Sequence, residues 1–286
     1  MPNPLADRSR RAASFNTASA HYAKYRPSYP PALYEALEEA LGRPLAGARV
    51  ADIGAGTGIA TAQLRDRGAH VLAVEPGEGM AAELRRTLPG TPLVRGDGNA
   101  LPLADATADL VTFAQSFHWT DPGRALPEAY RVLRPGGVLA RWWNISDSSH
   151  TWVADQADRL LAHFGPEGAA HGAHIPGRAD RDADAPAVGD PVVGALAKAP
   201  SRPGAPDPAP VADAPLTSRI PWSRRLTVDD HLANLASHSL FLVADAAVAR
   251  EFLDRERARL LRLFPDGHVE ERYVVDLVLT TRPASA

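Results

Sequence analysis

From about residue 48 to residue 143 the chain alternates short apolar runs with stretches of helical spacing, and this rhythm constrains the fold more than any other feature. The runs are ARVADI (48–53), HVLAV (70–74), TPLVR (91–95), ADLVTFA (108–114) and GVLARWW (137–143). Between them lie IATAQLRDRG, the segment from Glu78 to Leu88 and the segment from Pro122 to Leu133. Strand, helix, strand at this pace implies βαβ crossovers and a parallel sheet. Runs so continuously apolar predict strands covered on both faces. The expected fold class is α/β, a doubly wound sheet.

The flanks read differently. Residues 1–30 are polar and irregular, with aromatics at Phe15, Tyr22, Tyr25 and Tyr29. Pro31 then opens a helix, PALYEALEEAL, which Gly42 stops. A further helix is expected at 151–163. Residues 166–215 hold 10 Pro, 6 Gly and 14 Ala and no aromatic residue. Such a segment buries too little to offset its ordering entropy, so it reads as a long loop and not a second domain. Pattern returns at about 216, with a strand at 218–226, helices at 228–238 and 245–263, and a last strand at 272–281. That strand follows the parallel units and is placed to pair as an antiparallel edge. The Arg/Glu-rich stretch 250–262 reads as the solvated face of a helix. The expected organisation is one domain: a segment and helix over 1–45, a ligand-binding core over 46–164, the low-complexity loop over 165–215 and a closing part over 216–286.

Composition excludes several chemistries. There is no cysteine, which rules out disulfides, thiolate zinc sites and cysteine nucleophiles. His163, His171 and His174 match no zinc spacing, so no metal is expected. The net charge is −3, without the basic excess that draws a chain onto nucleic acid or anionic lipid. No window approaches the roughly 18 apolar residues that span a bilayer, and the N-terminus lacks the apolar core of a secretory signal. The expected location is the cytoplasm, with no membrane or nucleic-acid partner; the oligomeric state is not readable.

The chemistry concentrates in VADIGAGTG (50–58), where a buried strand runs into Gly54, Gly56 and Gly58 and a helix follows. Glycine lets the backbone turn tightly and a ligand approach without a Cβ in the way. The spacing G-x-G-x-G differs from the dinucleotide fingerprint G-x-G-x-x-G, and Asp52 precedes it. A carboxylate there suits an amine and repels a pyrophosphate. A nucleoside with a positive group and no phosphate fits, and S-adenosylmethionine is such a molecule. Glu75 ends the second strand 19 residues after Gly56, placed to accept both ribose hydroxyls. Asp97 ends the third, placed to accept from an adenine amino group, with Met80 against the adenine face. Each has a plainer reading: a strand-to-helix turn for Asp52 and the glycines, a solvated strand end for Glu75, a turn-opening Asp for Asp97, simple core for Met80.

Beyond the fourth strand, QSFHWTD carries His118 at the edge where such sheets bind ligands. His118 reads equally as a general base or as a histidine capping a turn between Phe117 and Trp119. Phe117, Trp119, Trp143 and Asn144 are candidates to line the acceptor side, with burial the competing account of the aromatic residues.

Together these segments resemble the class I methyltransferases, in the type 11 group and its trans-aconitate methyltransferase-like branch. The resemblance rests on FNTASAHYAKYRPSYP (15–30), DIGAGTG (52–58), VEPGEGM (74–80), GDGNALPL (96–103), QSFHW (115–119), RVLRPGGVLA (131–140), WWN (142–144) and PWSRRLTVDD (221–230). It implies a Rossmann-like sheet of seven strands with the last antiparallel. It implies S-adenosylmethionine as cofactor and S-adenosylhomocysteine as product, with a small molecule as acceptor. It assigns the cofactor site to Asp52, Gly54, Gly56, Gly58, Glu75, Pro76, Met80, Asp97, Gly98 and Gln115, and reads the N-terminal segment as a lid bringing Tyr22, Tyr25 and Arg26. The insertion at 166–215 departs from the pattern, as does Gly98, which replaces a small side chain. The competing readings are a cofactor-binding regulatory or scaffold protein without transfer activity, and a nicotinamide-dependent oxidoreductase. Nucleic-acid modification is a third.

Overall fold

The computed structural model describes residues 18–169 and 215–283, with side chains described up to 165 in the first span. The expected loop at 166–215 and Phe15 therefore lie almost wholly outside the described residues, as do His171 and His174.

Local chemistry sets the element boundaries. Helix α1 (Ser19–Tyr25) ends where Pro27 approaches; its presence corrects the reading of residues 1–30 as irregular throughout. Helix α2 (Pro31–Leu41) has Pro31 at its first turn and ends on Gly42 at φ 65°, a left-handed cap that glycine adopts without steric cost. Strand β1 (Arg49–Ile53) leads into α3 (Ile59–Asp66), β2 (His70–Val74), α4 (Glu78–Thr87), the short β3 (Leu93–Val94) and β4 (Ala108–Ala114). A 3-10 turn at Phe117–Trp119 follows. Helix α5 (Pro122–Val132) is capped by Asp121, whose carboxylate accepts from the Gly123 amide at 2.9 Å. Strand β5 (Leu133–Ser146) begins four residues before the expected run.

After α6 (Thr151–Ala169) and β6 (Leu216–Thr227) come α7 (Val228–Ala236), α8 (Ser239–Val243), α9 (Ala246–Leu263) and β7 (His268–Thr281). Thr227 caps α7 and Asp245 caps α9 through side-chain oxygens. Along α9 the expected solvated face holds for most positions, but Glu256 is 2% exposed and paired with Arg159. No helix among the described residues is long and apolar enough to cross a membrane.

The strands form one seven-stranded sheet in the order β3-β2-β1-β4-β5-β7-β6. Strands β1 to β5 pair in parallel. The last strand, β7, is antiparallel: the Gly136 amide donates to Arg282 O and the Asp147 amide to Arg272 O, so rising numbers in β5 meet falling numbers in β7. It lies between β5 and β6 and is not an edge, which corrects that expectation. Ladder bonds from two neighbours suit a strand whose residues alternate between buried and open over its length.

The chain divides into two compact units. Among the described residues the larger comprises 30–143, 215–218 and 276–283; the smaller comprises 18–29, 144–169 and 219–275. The larger unit is cored by Ile53, Val111, Phe113, Phe117, Leu126 and Leu139 among others. Its strand β4 is buried at six of seven positions, as its apolar run predicts. The smaller unit has its own core, with Leu160, Leu232, Phe241, Phe252 and Leu260.

Candidate functional site

In the larger unit the parallel strands place their carboxyl ends side by side, and the glycine segment turns at the end of β1. Gly54, Gly56 and Gly58 all have positive φ, at 66°, 59° and 92°. L-residues avoid that region, so the turn itself requires glycine. Space around the three differs. A Cβ on Gly54 would meet Ser116 Cβ at 2.5 Å, and one on Gly58 would meet Leu88 Cδ1 at 2.7 Å, whereas one on Gly56 would meet nothing within 4 Å. Gly54 and Gly58 are thus fixed by packing as well as by φ, and the open side of the loop is at Gly56.

Two acids hold this loop from beneath. Asp52 is fully buried; its carboxylate oxygens accept from Thr61 Oγ1 at 2.6 Å and Thr112 Oγ1 at 2.8 Å. Burial pushes its carboxyl pKa up, against the opposing pull of the two hydroxyls. The structure thus turns Asp52 into the fold, where it fastens β1, α3 and β4. Glu75 is buried at the tip of β2. It accepts from the Gly56 amide at 2.8 Å through one oxygen and from the Gly77 amide at 2.7 Å through the other. Burial again pushes the pKa up, with the two backbone amides opposing. Each oxygen keeps a further lone pair, so the carboxylate retains acceptor capacity. The Gly77 bond also ties Glu75 to the residue that precedes α4.

The other expected residues gather around these. Met80 is buried on α4. Pro76 is exposed, its carbonyl accepting from Arg95 Nη2 at 2.5 Å. Asp97 is exposed and accepts from the Asn99 amide and side chain, each at 2.9 Å, as a turn-opening Asp does. Gly98 is buried where a Cβ would lie 3.0 Å from Thr120 Cγ2 and 3.2 Å from Ile53 Cγ2, so the packing has closed onto glycine. Gln115 has φ 59°, one of two non-glycine residues with positive φ among the described residues. The Thr57 hydroxyl, inside the loop, is buried with no hydrogen-bond partner among the described residues.

Past β4 the 3-10 turn brings together most of the expected acceptor-side residues. The Trp143 indole N–H donates to His118 Nδ1 at 3.4 Å, and the His118 ring lies 4.7 Å from that of Trp119. His118 is exposed. Phe117 is core: its ring meets Phe113 edge-on at 5.2 Å, and the Arg141 guanidinium lies 4.7 Å from it. Trp142 is wholly buried in β5.

Residues 51–140 match the sequence profile of a methyltransferase domain family. Over these residues the chain is similar to that methyltransferase domain family. The chain is 46% identical over 142 residues to an uncharacterised methyltransferase of Mycobacterium tuberculosis, covering 50% of this chain and 56% of that protein. It is 38% identical over 141 residues to a malonyl-[acyl-carrier protein] O-methyltransferase of Enterobacter lignolyticus, covering 48% and 54%. The matches span little more than half of these relatives' own length. The fold is similar to that of a solved structure described as a candidate type II methyltransferase of Anaeromyxobacter dehalogenans, with TM-score 0.56 and 23% identity over 91% of this chain and 100% of that one.

Several side chains that shape this site are not evident from the sequence. Thr61, Thr112 and Ser116 are unremarkable in sequence; their hydroxyls matter only once β1, α3 and β4 are adjacent. Arg141, nearly fully buried, was legible as a lone charge inside GVLARWW.

The remaining expected residues belong to the smaller unit. The Arg26 guanidinium lies 4.8 Å from the Tyr22 ring and donates to Ser237 O at 3.4 Å. Tyr25 O accepts from Arg224 Nη2 at 3.0 Å. Asn144 Oδ1 accepts from Trp222 Nε1 at 2.8 Å, and Trp222 stacks on Tyr273 at 5.1 Å. Beneath Arg224 is a buried network. Glu271, 3% exposed, accepts from His231 Nδ1 at 2.7 Å, Asn234 Nδ2 at 3.1 Å, Arg224 Nε at 2.6 Å and Tyr273 OH at 2.7 Å.

Proposed function

We propose that this chain is an S-adenosylmethionine-dependent methyltransferase acting on a small-molecule acceptor through an oxygen, nitrogen or carbon nucleophile. The observation that carries the reading is Glu75, bonded to Gly56 at the open point of the glycine loop with lone pairs left over, inside a methyltransferase domain. A vicinal diol such as a ribose suits that carboxylate, and no phosphate is needed or welcome beside it. The Thr57 hydroxyl, without a partner among the described residues, and the space at Gly56 are consistent with a ligand laid along the loop. The bound cofactor supplies a methyl group on a sulfonium, electrophilic without further activation.

The chain's own part is to bind and orient. Glu75 and the backbone of Gly54, Gly56 and Gly58 hold the nucleoside. Met80 and Pro76 flank it, and Asp97, Gly98 and Gln115 border the base. Asp52 acts through the loop that it braces. His118, with Trp119 and Trp143 beside it, takes the acceptor side, where its ring would orient an acceptor or take up a proton from a hydroxyl or amine. Alignment and exclusion of water provide most of the rate for a displacement of this kind. The Enterobacter relative is an O-methyltransferase by name, which supports testing oxygen acceptors, a carboxylate among them, first.

Calorimetric titration with S-adenosylhomocysteine, with NADH as control, tests the reading. Wild type is expected to bind the homocysteine compound and not NADH, and Glu75→Ala to bind it at least about tenfold more weakly, the scale of one or two lost hydrogen bonds. Preference for NADH, or no binding by wild type, overturns it.

A further inference from the structure

In the larger unit, one side chain joins the glycine loop to the turn that carries His118. Ser116 is buried, and its hydroxyl donates to the carbonyl of Ile53, the last residue of β1, at 2.5 Å. Its Cβ occupies the place that a side chain on Gly54 would need. The neighbouring Gln115 is held from the other side, its amide donating to Trp142 O in β5 at 2.9 Å. Gln115 keeps φ 59°, a conformation a non-glycine residue retains only where its surroundings dictate it. Downstream, the Ser116 carbonyl accepts from the Trp119 amide at 3.0 Å and starts the Phe117–Trp119 turn. The main chain of Ser116 therefore belongs to the turn with His118 and Trp119, while its side chain belongs to the end of β1.

We propose that Ser116 is a positioning residue that couples the cofactor loop to the acceptor-side turn. Its hydroxyl sets where the chain leaves β1 for Gly54, and so where the Gly56 amide meets Glu75. Through the Trp119 amide the same residue sets where the His118 ring stands. The inference rests on the methyl-donor reading above, and adds a residue that touches neither ligand.

Homocysteine-compound binding by calorimetry, together with amide hydrogen exchange, on wild type and Ser116→Ala tests it. The variant is expected to unfold at nearly the wild-type temperature, to bind about tenfold more weakly, and to exchange faster at Gly54 and Gly56. Ser116→Cys keeps the volume and weakens the donor; it is expected to fall between the two, and is read in place of Ala if Ala does not fold. Affinity within twofold of wild type in the folded variant overturns the coupling and leaves the cofactor reading standing. A lowered melting temperature with unchanged affinity also overturns it, since that is all a structural serine would show. Failure of wild type itself to bind overturns both.

Discussion

Both units pair buried carboxyl groups with cations, as Asp109 of the larger unit is paired with Arg43, Arg49 and Arg134, but among the described residues the larger unit also holds two that dipoles meet. In the larger unit Asp52 and Glu75 are met by hydroxyls and backbone amides, and burial pushes both pKa values up. In the smaller unit Glu256 and Glu271 are met by guanidinium and imidazole groups. Burial alone would raise them too, but their partners outweigh it: Arg159 and Gln156 pull Glu256 down, while His231 and Arg224 hold Glu271 at about 2. A carboxyl answered by full charges is a completed ion pair that locks chain segments together. A carboxyl answered only by dipoles has acceptor capacity and charge left over for a ligand. The contrast separates the ion-paired carboxyls that fasten the fold in both units from Glu75, whose remaining lone pairs leave it able to meet a ligand.

The largest effect should come from breaking the completed pair. Glu271→Ala leaves the buried His231 and the half-buried Arg224 without their anion and is expected to cost about 3 kcal/mol of unfolding free energy. Its pH dependence has a definite sign. The folded pKa of about 2 lies below the ordinary 4.5, so the contribution is complete above about pH 4.5 and is lost as pH falls toward 2. The linked stability is roughly 3 kcal/mol. Urea unfolding across pH 2 to 7 should show a shallower acid limb in the variant; parallel limbs would remove Glu271 from the account.

Asp52→Asn should do far less, and with the opposite pH sign. A raised carboxyl pKa means the folded state holds its proton longer than the unfolded chain. That contribution is present at low pH and is lost as pH rises from the ordinary value, 3.8, through the folded one. Asparagine resembles the protonated form and can still pair with both threonine hydroxyls. At neutral pH its unfolding free energy is expected within about 1 kcal/mol of wild type. A loss near that of Glu271→Ala would mean Asp52 is charge-paired and would dissolve the comparison.

How much of this was legible in sequence follows the same division. The apolar runs placed β1, β2 and β4 to the residue at most ends, because strands buried on both faces need little beyond their own side chains. The glycine loop was legible because its constraint is local: each positive φ is written in one residue type. Strand β7 was read four residues short because His268, Glu270 and Glu271 look like loop. Glu271 is buried there by Arg224 and His231, partners 47 and 40 positions away that no window contains. The bond of Asp52 to Thr112 was hidden for the same reason, since the two lie 60 positions apart. Helix α1 escaped notice because its seven residues include no buried one, so there was no apolar stripe to see.

The smallest effect concerns backbone strain, which is likewise unequally shared. The non-glycine residues with positive φ among the described residues, Ala106 and Gln115, both fall in the larger unit. Gln115 stands at the junction of β4 and the His118 turn. Replacing it with glycine removes a left-handed penalty of about 1 kcal/mol but gives the unfolded chain more freedom to lose, at a cost of about the same size. Gln115→Gly should therefore leave unfolding free energy within about 0.5 kcal/mol of wild type. Binding of S-adenosylhomocysteine should nonetheless weaken severalfold, because the strained turn holds a side chain that the variant lacks. Strain retained at no benefit to binding would show up as unchanged affinity, and Gln115 would then be a turn residue only. Weaker binding at constant stability would tie the strain in this unit to its ligand, as the dipole-held acids already suggest.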